Sequence, residues 1–156
     1  MKTVRPFPTK DAAERAAFQQ FAQQLGEVES WISVDSTNPP KPDLLCVHQD
    51  RGTVAFELVA ITDPTIARVN AGYSDSGVAD YCTSDPTERI IRNKLSREYE
   101  SSFPVELLVY NDLLTITPDE IIVEIAINLL RSEDHPFQKA WFMGEFESKL
   151  IWRYDA

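Results

Sequence analysis

Two acidic residues lie in an otherwise apolar part of the sequence. Asp43 follows Pro42 and precedes the run Leu-Leu-Cys-Val at 44–47, and Glu57 lies within the apolar run 53–61. A carboxylate in apolar surroundings is costly unless a cation neutralises it. Because oxygen ligands suit hard divalent ions, this pair of carboxylates predicts a metal site.

A β-hairpin is predicted to hold both acids. Its turn is the sequence Gln-Asp-Arg-Gly at 49–52, whose glycine can adopt the left-handed conformation that a short bulged turn needs. A register that pairs Gln49 with Thr53 makes Asp43 and Glu57 diagonal neighbours, about 7 Å apart at the backbone. That separation suits two carboxylates that share one ion.

The alternation of side chains along a strand divides the hairpin into two faces. One face carries both acids together with Leu45 and Val59, and Val59 is then opposite Asp43. The other face is apolar throughout: Leu44, Cys46, Phe56, Leu58 and Ala60. A sheet that is apolar on both faces is normally covered by helices on both sides, so a site there would be partly desolvated.

The remaining sequence predicts helices and strands that alternate around this hairpin. Capping residues and apolar periodicity place three main helices at 10–25, 85 to about 100, and 117 to about 131. Pro64 to Val69 is a short candidate helix within the long segment 62–84. Further strands are predicted at 29–34, 105–110, 140–142 and 149–153, the last two as a terminal hairpin around Gly144.

Length and composition favour a single domain over residues 1–156. The 156-residue chain is 43% hydrophobic and 26% charged, as in soluble globular proteins. No apolar run reaches the length of a membrane span, and the first residues lack the apolar region of a signal peptide. Cys46 and Cys82 show no pairing pattern, so we expect reduced thiols in a cytoplasmic protein.

The acidic hairpin and the order of elements together resemble the restriction-endonuclease-like, or PD-(D/E)XK, nuclease superfamily. The resemblance covers residues 10–112 and rests on Pro42-Asp43, the turn and Glu57-Leu58-Val59. It implies an α/β fold: an αβββαβ core with a mixed central sheet flanked by helices, followed by an added helix and β-hairpin. The implied activity is metal-dependent hydrolysis of phosphodiester bonds, with DNA as the expected substrate.

The resemblance also implies roles for individual residues. Asp43, Glu57 and the backbone carbonyl of Leu58 would coordinate Mg²⁺ or Mn²⁺, and Glu14 of the first helix would be an additional acidic ligand. Each acid also has a structural interpretation, since Asp43 can cap a strand entrance and Glu14 can interact with the helix dipole. Glu57 is harder to explain without a cationic partner.

The chain departs from the family pattern at Val59, which occupies the position where the family has its catalytic lysine. Some members supply this lysine from the following helix, and Lys94 is the candidate here, beside the buried stripe of the predicted helix. Alternatively, Lys94 is an ordinary surface lysine whose stem packs along the helix. The expected catalytic set is therefore Asp43, Glu57 and Lys94.

Charge bears on the partner. The net charge of −10 counts against general nucleic-acid binding, but four basic residues lie within nine positions. Of these, Arg89, Arg92 and Arg97 are candidate contacts to nucleic acid, and the alternative is a solvated helix face interleaved with glutamates.

A second functional hypothesis remains: a catalytically inactive member of the fold that serves as a binding or regulatory protein. A homodimer through the terminal hairpin is left open.

Overall fold

A computed structural model describes residues 9–62, 86–112 and 117–155 of the 156-residue chain. Three expectations fall outside the described residues: the short helix at 64–69, the capping role of Asp85 and the state of Cys82.

The described residues contain three α-helices: α1 (Lys10–Gln24), α2 (Thr87–Leu95) and α3 (Asp119–Ser132). The start of α1 is confirmed, because the Thr9 hydroxyl accepts a hydrogen bond from the Ala12 N–H at 3.1 Å. The predicted extension of α2 to about Glu100 is wrong. The Glu100 N–H instead donates to the Pro40 carbonyl, so the chain turns back toward the segment before Asp43.

Six strands form one mixed sheet in the order β1 to β6. They are β1 (Trp31–Ser36), β2 (Leu44–His48), β3 (Gly52–Ile61), β4 (Val105–Asn111), β5 (Lys139–Met143) and β6 (Ser148–Arg153). Neighbours are antiparallel except for β3–β4 and β4–β5, which are parallel. The α/β class and the mixed sheet are as expected. The terminal hairpin was predicted as an addition, yet β5 pairs with β4 and so continues the central sheet.

The register of the central hairpin differs from the prediction by two residues. Leu44 pairs with Phe56, and His48 pairs with Gly52. The turn keeps three unpaired residues but lies one position earlier, at 49–51, because Gly52, at φ +77°, already begins β3. The His48 ring stabilises this turn, since Nδ1 accepts hydrogen bonds from the N–H groups of residues 50 and 51. Because the shift is even, every side chain keeps its predicted face.

Helices cover both faces of the sheet. Helix α1 packs its phenylalanines against one apolar face, where Phe18 and Phe21 contact Phe56 edge-on. Helices α2 and α3 cover the other face, and Ile91 and Ile122 lie fully buried in the same cluster as Val59. Each side of the sheet therefore has its own core, and the carboxylates lie between them.

Two further expectations concern the membrane and the thiols. Among the described helices, none combines the length and apolar character required to cross a bilayer. Cys46 is a free thiol buried in strand β2, and burial raises its pKa above the ordinary value for cysteine.

An ion pair between the partly exposed Arg51 and a buried glutamate joins the hairpin turn to the centre of the sheet. Glu106 on β4 is 2% exposed, and Arg51 donates to one of its oxygens. The Trp141 indole N–H donates to the other oxygen at 2.7 Å. Both oxygens of this interior carboxylate are therefore satisfied, as burial demands.

We expect Arg51→Met to lower the free energy of unfolding by about 3 kcal/mol, because Glu106 would be left as a buried charge without its cation. Urea denaturation measures this change. Arg89→Met, at an exposed arginine on α2, is the matched control and should change stability by less than about 0.5 kcal/mol. Equal effects of the two substitutions would contradict the role assigned to Arg51.

Candidate functional site

Two reciprocal hydrogen bonds hold Asp43 and Glu57 together. The Asp43 N–H donates to Glu57 Oε1 at 3.0 Å, and the Leu58 N–H donates to Asp43 Oδ2 at 2.9 Å. The β2–β3 ladder ends at Leu44, so these amides beyond it take carboxylate oxygens instead of strand carbonyls. Asp43 is 9% exposed and Glu57 is 2% exposed. Each carboxylate thus has one oxygen fixed by the backbone and one oxygen left for a cation.

Lys94 supplies a cation to this pair. Its Nζ donates to Glu57 Oε2 at 3.2 Å, and the lysine side chain is only 18% exposed. Ile91 and Leu95 of α2 are buried on either side of it, which directs Lys94 onto β3. Lys94 is therefore paired with the interior carboxylate rather than extended along the surface. The Tyr99 hydroxyl donates to the Lys94 carbonyl at 3.2 Å and ties the end of the helix to this position.

Glu14 and Lys10 approach the same pair from helix α1. Lys10 Nζ lies 3.3 Å from both Glu14 oxygens and 3.3 Å from Asp43 Oδ1. Glu14 is 7% exposed and lies in the second turn, so a helix-dipole role alone does not account for its burial. Lys10 was not among the residues singled out from the sequence. Its four-residue spacing from Glu14 on one helix face was the available signal.

The acids of this cluster have different proton affinities. Burial opposes ionisation of Asp43, but hydrogen bonds from Glu57 and from the Leu58 N–H outweigh it and lower the Asp43 pKa. Burial and the adjacent Asp43 carboxylate raise the pKa of Glu57, against the influence of Lys94. The same two causes raise the pKa of Glu14 to about 7, against the influence of Lys10. Asp43 is therefore the acid that stays ionised at the lowest pH.

Val59 is part of the apolar core and is not a surface residue. It is 2% exposed and belongs to the apolar core beneath α2, together with Ile91 and Leu95. A lysine in place of Val59 would have to be buried beneath α2. In the structure, the ammonium group that contacts Glu57 comes from Lys94 on α2.

The candidate nucleic-acid contacts lie on and after α2. Arg89, Arg92 and Arg97 are all exposed. The charge of Arg92 is matched by Glu88 at 2.8 Å and Glu133 at 3.4 Å, as the alternative of a solvated, interleaved face anticipated. Arg97 lies beyond the helix end and donates to the Asn93 side chain at 3.3 Å.

The two histidines hold local backbone structure. His48 is buried and stabilises the hairpin turn described above, while His135 Nε2 lies 3.0 Å from the Leu130 carbonyl. Across residues 9–62, 86–112 and 117–155, no three His, Cys, Asp or Glu side chains are grouped so that they could hold a metal ion.

A magnesium ion does not need three such side chains. Mg²⁺ commonly uses one or two carboxylates and keeps several of its waters. Asp43 Oδ1 and Glu57 Oε2 are the two oxygens that contact a lysine ammonium rather than a backbone amide. The N–H and C=O of a residue in an antiparallel strand point to the same neighbouring strand, so the Leu58 carbonyl belongs on the side of Asp43. This donor set fits a two-carboxylate site with Leu58 and water.

Comparison of the chain with protein-family models, with curated proteins and with solved structures gave no match. The interpretation of the site therefore rests on its own geometry and on the sequence resemblance.

The raised pKa of Glu14 predicts how stability depends on pH without divalent metal. The folded protein retains a proton on Glu14 up to about pH 7, whereas the unfolded chain loses it near 4.5. The free energy of unfolding therefore falls as pH rises through this range. Glu14→Gln removes this loss, so its stability relative to wild type should rise by about 1 kcal/mol between pH 5 and pH 8.

Urea denaturation in EDTA at several pH values measures this difference. Glu124→Gln, at an exposed glutamate on α3, is the matched control and should give a constant offset. A difference between Glu14→Gln and wild type that does not change with pH would contradict the assigned shift.

Proposed function

We propose that this protein is a metal-dependent nuclease that hydrolyses phosphodiester bonds in DNA, with a restriction-endonuclease-like core. Asp43 and Glu57 are the proposed Mg²⁺ or Mn²⁺ ligands, and Lys94 is the proposed catalytic cation. The observation that carries the proposal is the buried pair of carboxylates held by backbone amides, with Lys94 at 3.2 Å from Glu57.

The charge balance of the cluster supports a cationic ligand. Glu14, Asp43 and Glu57 contribute three carboxylates, whereas Lys10 and Lys94 contribute two ammonium groups. When all five groups are ionised, one negative charge remains in a largely buried place. Uncompensated buried charge is destabilising, and a divalent ion would relieve the repulsion among the acids.

The proposed chemistry assigns a separate task to each group. A bound magnesium ion would supply a water of lowered pKa and neutralise charge on the phosphate. Asp43 and Glu57 would hold the metal ion, and with it the attacking water, in a fixed position. One oxygen of each carboxylate is already anchored to the backbone. Lys94 can donate to a phosphate oxygen near Glu57 and stabilise the charge that develops there.

The arginines near Lys94 support a nucleic-acid partner, whereas the net charge of the whole chain does not. The chain carries a net charge of −10, so long-range attraction of DNA is not expected. Arg89 and Arg97 are exposed close to Lys94 along the chain and are the proposed phosphate contacts. A cytoplasmic location is part of the proposal and agrees with the free thiol of Cys46. A homodimer is not required for any of these roles.

One observation favours the second hypothesis, a binding or regulatory protein without catalysis. Lys10 and Lys94 already occupy the free oxygens of Asp43 and Glu57. If these pairs persist in the presence of divalent metal, the cluster is a structural ion-pair network. Calorimetric titration with Mg²⁺ separates the hypotheses, since only the nuclease requires metal binding that Asp43→Asn abolishes.

We expect purified protein with Mg²⁺ or Mn²⁺ to cleave DNA, and we expect Asp43→Asn, Glu57→Gln and Lys94→Met each to lower the rate at least about 100-fold. The loss follows because each variant removes a charge that contacts the reacting groups. Cleavage of end-labelled DNA, resolved on denaturing gels, measures the rates.

Lys149→Met is the matched control for Lys94→Met, because Lys149 is an exposed lysine on the edge strand β6. It should retain wild-type activity. Equal cleavage by wild type and all three site variants would indicate a contaminating nuclease and would sink the assignment. Absence of cleavage together with absence of metal binding would favour the non-catalytic hypothesis.

A further inference from the structure

A cavity of about 240 Å³ is lined by Pro42 and Leu44, the two residues that flank Asp43 in the chain. Its apolar lining includes Leu45 and Ala55, and Phe103 lies at its wall. Ala55 and Glu57 are two residues apart on β3, so they share a sheet face and lie about 7 Å apart along the strand. The cavity therefore adjoins the chain segments that carry Asp43 and Glu57.

The cavity is built from two loops that are tied to each other. The first loop leads into Asp43, and the Thr37 N–H donates to the Asp43 carbonyl at 3.0 Å. The second loop follows α2, and its Glu100 N–H donates to the Pro40 carbonyl at 3.0 Å. The segment that positions Asp43 therefore also forms one wall of the cavity.

Phe103 is presented to this cavity by a small hydrogen-bonded turn. The Ser101 hydroxyl donates to the Phe103 carbonyl at 2.8 Å, and the Phe103 N–H donates back to the same hydroxyl at 3.1 Å. Although it is a large apolar residue, Phe103 is 43% exposed. A partly exposed aromatic ring at the wall of a cavity can serve as a stacking surface for another planar ring.

Size and charge restrict the class of ligand. Sites for drug-sized molecules span roughly 300 to 1,000 Å³, so this smaller cavity suits a single planar ring system. Lys41 and Glu100 also line the cavity and are exposed. A lysine can contact a phosphate, and a carboxylate can accept hydrogen bonds from the amino and imino groups of a base. The apolar lining, the aromatic wall and these two charged groups together suit the base and the phosphate of one nucleotide.

We propose that the cavity binds the unpaired nucleobase adjoining the scissile phosphate, with Phe103 as the stacking residue. The preferred substrate is then single-stranded or locally unpaired nucleic acid. A base within a duplex is stacked and paired, and it would have to be extruded from the duplex before it could enter. This inference rests on the proposed nuclease function, since it assigns the substrate class of the same site.

The test compares single-stranded with blunt duplex oligonucleotides of the same sequence, as DNA and as RNA. Cleavage by wild type should favour the single strand. Phe103→Ala should lower single-strand cleavage at least about fivefold, with duplex cleavage little changed, because each stacked base contributes measurably to binding. Phe103→Tyr retains the ring and should restore the preference. The DNA and RNA arms decide which of the two sugars is accepted.

Phe146→Ala is the matched control, because Phe146 is an 84% exposed phenylalanine in the β5–β6 turn. It should leave the preference unchanged. An oligonucleotide that carries an abasic residue beside the cleavage position should reproduce the effect of Phe103→Ala. Equal loss for the Phe103 and Phe146 variants, or wild-type cleavage without a preference for single strands, would overturn the proposal.

Binding separates this proposal from the proposed function. Fluorescence anisotropy of labelled single strands with Asp43→Asn, and with Asp43→Asn combined with Phe103→Ala, requires no cleavage. If wild type cleaves nothing, the nuclease assignment fails, yet weaker binding of the double variant still supports the cavity as a base site. Equal binding by the two variants, or no detectable binding by either, contradicts the cavity assignment.

Discussion

The structure depends on the exchange of hydrogen bonds between Asp43 and β3. The Asp43 amide is bound by Glu57, and the Asp43 carboxylate is bound by the Leu58 amide. These two bonds continue the β2–β3 pairing past its last ladder residue with side-chain acceptors. They place two carboxylates next to each other at the point where the strands separate, and there the repulsion between like charges must be compensated. The surrounding elements supply part of that compensation.

Each side of the sheet contributes one cation and one element of the site. Helix α1 brings Glu14 and Lys10 to the Asp43 side, and α2 brings Lys94 to Glu57. The separate cores on the two faces fix these helices independently. Helices on both faces of the sheet therefore contribute groups to the cluster. This explains why the cluster is buried and why some of its carboxylate oxygens still point away from the backbone. The loop after α2 adds the cavity that adjoins the chain segments carrying Asp43 and Glu57.

Much of this arrangement could be predicted from the sequence because it depends on periodicity. Alternation along the strands placed Leu45, Glu57 and Val59 on one face, and an even register error left that result unchanged. Asp43 precedes β2, and its hydrogen bonds with Glu57 and Leu58 set its position. The register itself depended on where Gly52 sits in the turn, which composition does not specify. Likewise, the end of α2 is set by a long-range hydrogen bond from Glu100, and this contact is invisible to local pattern.

Other features arise only from tertiary packing. The terminal strands were recognised as a hairpin from the sequence. The parallel pairing of β5 with β4 depends on the path that the chain takes through α3, which local sequence does not show. Lys94 was identified because it borders a buried stripe on α2. Lys10 was missed because its four-residue spacing from Glu14 predicts only a helix-surface pair and does not reveal a contact with Asp43. Its contact with Asp43 spans 33 residues of sequence.

The central claim is that Asp43 and Glu57 hold a divalent ion in place of their lysine contacts. Crystals grown with Mn²⁺ and measured for anomalous scattering test it directly. The account predicts one anomalous peak about 2.1 Å from an oxygen of each carboxylate, with Lys10 and Lys94 withdrawn from those oxygens. A structure at saturating Mn²⁺ without a peak there, and with both lysines still bound to the carboxylates, would contradict it.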